Sequence, residues 1–114
     1  MEKGIDCIGV SVSFFCHDGK GNVLMNKRSA KSRDEFGTWD QGGGSIEIGE
    51  GVEEALKREI KEEYCADIIN PEFLGFRDVH RIDEKGRKTH WVMLDFKVLL
   101  DRKRVKNDNW WKPF

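Results

Sequence analysis

Cysteine is scarce in these 114 residues, charge of one sign is nearly absent in the balance, and no apolar run reaches the length of a membrane span. Cys7, Cys16 and Cys65 are odd in number and widely separated, without a C-x-x-C pair. That pattern excludes a disulfide framework and a thiolate zinc site, and is simplest in a reducing compartment. Lys and Arg number 20 against 21 Asp and Glu, for a formal net charge of −1. A global field for polyanions is therefore missing, which disfavours nucleic acid as a partner and leaves only local patches such as Arg102-Lys103-Arg104. The N-terminal stretch begins Met1-Glu2-Lys3 and is interrupted by Gly9, Ser11 and Ser13. It lacks the basic start and small-residue cleavage site of a secretory signal. With no stretch of about 18–20 apolar residues to cross a bilayer, the expectation is a soluble, cytoplasmic protein without a membrane partner.

What is present suffices for one small domain spanning residues 1–114. Apolar side chains make up 38% and charged ones 36% of the chain, so a core can form despite the high charge. From Ile8 to Phe15, the apolar Ile8, Val10, Val12 and Phe14 alternate with Gly9, Ser11, Ser13 and Phe15, the period of a strand. The turn-forming cluster His17 to Asn22 lets residues 23–28 return as a hairpin arm. Residues 29–37 are polar and read as loop. Residues 52–64 are rich in Glu, Lys, Ala and Leu without interior Gly or Pro, and predict a helix. Asn70-Pro71 is expected to break the chain after it. Residues 73–82 and 88–100 read as two strands of a long hairpin, with Asp83-Glu84-Lys85-Gly86 supplying the turn.

The helix carries the chemistry. At about 100° per residue from Val52, Leu56 falls near 40°, Ile60 near 80° and Ala55 near 300°, which marks the buried side. Glu63 at about 20° and Glu59 at about 340° lie inside that sector, with Glu62 at its margin near 280°. Acids converging on a packed face cost several kcal/mol per ion unless a cation compensates. An all-oxygen cluster suits Mg²⁺ or Mn²⁺ better than zinc, with substrate phosphates completing the shell. The run Gly42-Gly43-Gly44 just upstream could bring main chain up to the same metal and phosphate. The competing reading is an ordinary amphipathic helix whose marginal acids pair with Arg58 or Lys61.

The stretch from Gly44 to Ala66, GSIEIGEGVEEALKREIKEEYCA, resembles the Nudix box: Gly, five residues, Glu, seven residues, Arg-Glu, an aliphatic, any residue, Glu-Glu, any residue, Gly, an aliphatic. Every charged position matches. Cys65 stands in place of the second Gly, which is expected to strain or redirect the helix exit. Gly42 stands where many members have Pro, altering loop stiffness rather than ligands. The resemblance implies an α/β fold, a Nudix-like α/β/α sandwich with a mixed β-sheet. It also implies another strand and a closing helix, and no closing helix fits into the residues up to Phe114, so the expectation is either a member shortened at the C-terminus or a truncated product, both with apolar sheet surface that a second copy could cover as a homodimer.

The resemblance also implies roles. Glu59, Glu62 and Glu63 would ligate Mg²⁺ or Mn²⁺, with the Gly43 carbonyl as a further ligand. Glu50 would support that shell and Arg58 would hold Glu59 by a charged hydrogen bond, making Arg58, Glu50, Glu59 and Glu63 the catalytic set. The implied activity is metal-dependent hydrolysis of the pyrophosphate linkage in a nucleoside diphosphate joined to another group, so the implied partner is a small nucleotide-type substrate. Asp101 and Asp108 are candidates for a further acid. Trp39, Trp91 and Arg77 are candidate substrate contacts, two rings for a base and a guanidinium for phosphate. His17, His80 and His90 show no metal-ligand spacing, although His80 and His90 would face each other across the hairpin in one register, while Lys103 to Lys106 reads as an exposed turn. The alternatives are a noncatalytic nucleotide-binding or regulatory domain on the same fold, and a diphosphate isomerase suggested by Trp39-Asp40.

Overall fold

The computed structural model describes residues 1–27, 39–40, 42–101 and 110–113. The elements are β1 (Gly9–His17), β2 (Asn22–Lys27), β3 (Trp39–Asp40), β4 (Gly42–Ser45), α1 (Val52–Tyr64), β5 (Ile68–Ile82), β6 (Lys88–Leu100) and β7 (Trp110–Pro113). The seven strands among the described residues share one sheet ordered β3-β2-β1-β6-β5, with β4 also paired to β1 and β7 to β2. The sheet is mixed: β1 runs parallel to β6, from Gly9↔Trp91 to His17↔Leu99, and the other pairs are antiparallel. With α1 packed on it, this is the α/β arrangement expected. No helix among the described residues is long and apolar enough to cross a membrane.

Strand β1 is central and shows why alternation alone understates burial. Val12, Phe14 and Cys16 point into the main core, where they meet Leu56, Ile60 and Tyr64 of α1 and Phe96, Val98 and Leu100 of β6. Ser11 and Ser13, on the other face, are also buried. Val10, by contrast, is exposed, so the apolar row begins to pack only at Val12. The Phe14 and Tyr64 rings meet edge to face, with centroids 6.0 Å apart and planes at 81°. Each fully buried large side chain here contributes roughly 1.5–3 kcal/mol of apolar transfer, so the helix is held on the sheet by a few residues.

The expected helix is observed over the same residues, with Glu53 and Glu54 in the first turn and Lys61 in the last, both favourable to the helix dipole. The expected break at Asn70-Pro71 is not observed. Both residues lie inside β5, paired as Asn70↔Leu99 and Pro71↔Val98, with register shifts at Ile68/Asn70 and Phe73/Gly75. An edge strand tolerates proline because one of its sides needs no donor, and the irregular register absorbs the misfit. The hairpin turn is as predicted. Asp83 Oδ1 accepts the backbone N–H groups of Lys85 and Arg87, each at 2.9 Å, and these bonds, led by that from Arg87, hold its carboxyl below the ordinary value. The expected loop at 29–37, the turn at Lys103 to Lys106 and Asp108 lie outside the described residues.

Candidate active site

Strand β4 brings the glycines to the helix. It pairs with β1 as Phe14↔Gly42, Ser13↔Gly43, Val12↔Gly44 and Ser11↔Ser45. Residues alternate in direction along a strand, and the alternation has a consequence here. A Cβ at Gly44 would overlap the Glu59 carboxyl group, and one at Gly42 would overlap Glu63 Oε2 and the Phe14 ring. A Cβ at Gly43 would instead meet the Val12 carbonyl oxygen at 2.8 Å. Two carboxylates of α1 therefore rest directly on main chain, a seating that any larger residue at 42 or 44 would fill.

Between β4 and α1 the chain makes a tight turn in which the Glu50 N–H donates to the Glu47 carbonyl at 3.1 Å. Gly49 occupies the position needing positive φ, at 87°. The turn swings the Glu50 carboxylate back toward the helix, where Arg58 takes it in a two-pronged contact: Nε to Oε2 at 2.7 Å and Nη2 to Oε1 at 3.0 Å. The same guanidinium donates from Nη2 to the Ser45 carbonyl at 3.1 Å and from Nη1 to Glu59 Oε1 at 2.8 Å. Glu62 is a more distant neighbour, 3.4 Å from Nη1. Arg58 thus ties the strand, the turn and two helix acids together. The Arg58 hydrogen bond, then the Glu47 N–H, hold the Glu50 carboxyl at about 2. Glu50 is consequently an anion throughout the neutral range.

The helix wheel is reproduced in the exposure of the acids. Glu59 and Glu63 are half-buried and Glu62 is exposed, while Ala55, Leu56, Ile60 and Tyr64 are fully buried. Glu63 Oε2 is shut off from solvent. Its charge, added to the larger effect of burial, pushes the Cys16 thiol up, so that Cys16 stays protonated. The oxygens of Glu59, Glu62 and Glu63 do not form a group with all ligand atoms within 4.8 Å; among the described residues only Asp78, His80 and His90 do. In this arrangement Glu59 is drawn to Arg58, and Glu63 lies under Gly42. Carboxylate oxygens beside a strand without side chains are nonetheless the hard donor set that a magnesium-class ion takes.

Of the two outcomes expected at Cys65, a strained or a redirected helix exit, the structure has the first. Cys65 adopts the left-handed conformation itself, φ 54° and ψ 34°, and its N–H donates to the Lys61 carbonyl. A side chain there costs about 1–2 kcal/mol relative to glycine, partly offset by about 0.5–1 kcal/mol from the freedom glycine has when unfolded. Cys65→Gly should therefore stabilise the fold by about 0.5–1 kcal/mol, read as a rise in melting temperature. An unchanged or lower melting point would show that the exit is not strained.

The remaining candidates are dispersed. Arg77 lines a cleft of about 230 Å³ with Ser13, Phe14, Phe15, Leu74, Asp95 and Phe96. It is engaged there by Asp95, Nε to Oδ2 at 2.7 Å and Nη2 to Oδ1 at 2.9 Å. The Trp91 ring lies where Cβ atoms on Gly4 and Gly9 would be, so it serves as a cover for the N-terminal turn. Trp39 stands in the short strand β3, paired with Lys27. Asp101 is half-buried just past β6. Sequence reasoning missed Ser45, whose carbonyl is a fourth anchor for Arg58; a main-chain acceptor leaves no trace in residue type.

Comparison with known proteins agrees with this geometry. The model of the NUDIX domain matches residues 8–112. The chain is 30% identical over 96 residues to the CTP pyrophosphohydrolase of Escherichia coli (strain K12), covering 82% of this chain and 68% of that protein. The chain belongs to the Nudix family. Among solved Nudix structures, the MutT NUDIX hydrolase of Burkholderia pseudomallei superposes with a TM-score of 0.67 at 26% identity, over 92% of this chain and 82% of that one. The MutT protein of Bacillus halodurans shares the fold with a TM-score of 0.69 at 24% identity, over 93% and 69% of the two chains. In Nudix terms, the turn at Glu47 to Glu50 and the Arg58 fork are the physical content of the spacing between Gly44 and Glu63.

Proposed function

We propose that this chain is a divalent-metal-dependent pyrophosphohydrolase acting on a nucleoside diphosphate joined to another group, with nucleoside triphosphates foremost because a relative is a CTP pyrophosphohydrolase. The observation that carries the reading is Arg58, which fixes Glu50 and Glu59 beside the glycine strand. Glu59, Glu62 and Glu63, with the Gly43 carbonyl, would hold Mg²⁺ or Mn²⁺. A bound ion of this kind would polarise phosphoryl oxygens and offset charge on the leaving group. The chain itself supplies anions held in place before substrate arrives. Arg58 keeps Glu59 oriented and holds Glu50 beside it in support of that shell, while the glycines of β4 leave room for the Glu59 and Glu63 carboxylates against the main chain. A carboxylate such as Glu59, or one from a later loop, would accept the proton of the attacking water as the P–O–P bond breaks. Arg77 and its cleft would hold a remote part of the substrate, once Asp95 yields the guanidinium. The domain is taken to span residues 1–114 and to work in the cytoplasm.

The test is release of phosphate or pyrophosphate from a panel of nucleoside triphosphates, dinucleoside polyphosphates, ADP-ribose and nucleotide sugars, with Mg²⁺, with Mn²⁺ and with chelator. Metal-dependent release from one class, abolished by chelator, is expected. Silence across the panel while nucleotide still binds by calorimetry would replace the hydrolase with the binding domain.

A further inference from the structure

The sequence contains three histidines, and two of them meet on the β5–β6 hairpin rather than on α1. His80 on β5 and His90 on β6 are direct cross-strand partners. Their rings are 4.2 Å apart between centroids and tilted by 33°. Asp78 precedes His80 by two residues, so it shares that face of β5, and its Oδ1 lies 2.8 Å from His90 Nε2. One ligand atom from each of the three falls within 4.8 Å of the others.

We propose that Asp78, His80 and His90 form a second metal site, for a zinc-class divalent transition ion, on the β5–β6 hairpin. The donor chemistry separates it from the cluster on α1. Two imidazoles and a carboxylate suit Zn²⁺ and its borderline neighbours, whereas Mg²⁺ takes oxygen donors. Tetrahedral bonds of about 2.0–2.1 Å place ligand atoms about 3.4 Å apart, so side-chain rotation closes the site without moving a strand. The frame is fixed in advance. His90 is half-buried on β6, which has β5 on one side and β1 on the other. Its backbone N–H donates to the Gly4 carbonyl at 2.8 Å. His80 and Asp78 are exposed, so the ion enters from solvent and keeps an open position for water. Seated there, it would join the edge strand to the interior of the sheet near the hairpin turn.

The test is calorimetric titration of Zn²⁺ into the whole chain with Mg²⁺ in excess, alongside NMR of the histidine rings. One Zn²⁺ per chain is expected, with the His80 and His90 ring signals moving and those of His17 unmoved. His80→Ala and His90→Ala should each weaken uptake by about 10–100-fold or more, and His17→Ala should leave it unchanged. Asp78→Asn, which preserves shape, should also weaken it and remove the zinc-dependent rise in melting temperature, so a folding defect in the alanine variants cannot mimic the result. Zn²⁺ affinity unchanged from that of the unsubstituted chain in the Asp78→Asn and His80→Ala variants, ring shifts at His17 instead, or no saturable uptake would each overturn the site.

Discussion

Replacing Glu63 by Gln is expected to lower metal-dependent pyrophosphate hydrolysis by about 10²–10⁴-fold, the range carried by a group that acts on the reacting atoms, while the melting temperature changes little. Gln has the shape of Glu, and the pocket is defined by shape: Oε2 is shut off from solvent and borders Gly42 and the Phe14 ring. What the substitution removes is charge. Mg²⁺ affinity should fall along with turnover, and the Cys16 thiol, which Glu63 helps push up, should become easier to ionise. Steady-state kinetics at saturating and limiting Mg²⁺ measure the first two effects, and thiol titration the third. A Glu63→Gln enzyme with full turnover would remove Glu63 from the site.

Gly44→Ala should be nearly as damaging, although it adds only a methyl group. The new Cβ takes space held by the Glu59 carboxyl, so either Glu59 leaves Arg58 Nη1 or β4 shifts on β1. Misplacement of a catalytic group by about 1 Å costs roughly 10²-fold in rate, and forced repacking costs about 1–3 kcal/mol in stability. The route of the effect is open to measurement. If the methyl acts through Glu59, then Gly44→Ala added to Glu59→Ala should cost little more than Glu59→Ala alone, because the two act on one interaction. Full additivity of the losses in kcat would mean that Gly44 matters for a separate reason.

Much of this site was legible in the sequence because its parts are local. The positions of Glu59, Glu62 and Glu63 around α1 follow from helical geometry and from the apolar positions of Ala55, Leu56 and Ile60, and the observed exposures follow the same order. The left-handed exit at Cys65 was likewise carried by a fixed offset from the helix. Long-range placement was not legible. That Trp91 covers Gly4 and Gly9 depends on the parallel register of β1 and β6, which share no turn. The persistence of β5 through Asn70-Pro71 depends on that strand lying at an edge, a property of the whole sheet. His80 and His90 do face each other as the hairpin reading allowed, but the sequence left the register open: the turn at Asp83 closes with a particular number of residues, and a one-residue slip would have sent them to opposite faces.

The edge position of β5 also bears on how the chain behaves at high concentration. Fifteen residues of strand that are open among the described residues, with Phe73, Leu74 and Phe76 exposed, would ordinarily invite another chain to extend the sheet. Here the edge is uneven. Pro71 offers no donor, and the register shifts at Ile68/Asn70 and Phe73/Gly75 interrupt the ladder at its first half. The longest regular template is then Gly75 to Ile82, and that stretch carries Arg77, Asp78 and Arg81. The charges and the irregularities divide the work between them, one opposing strand addition along each half of the strand.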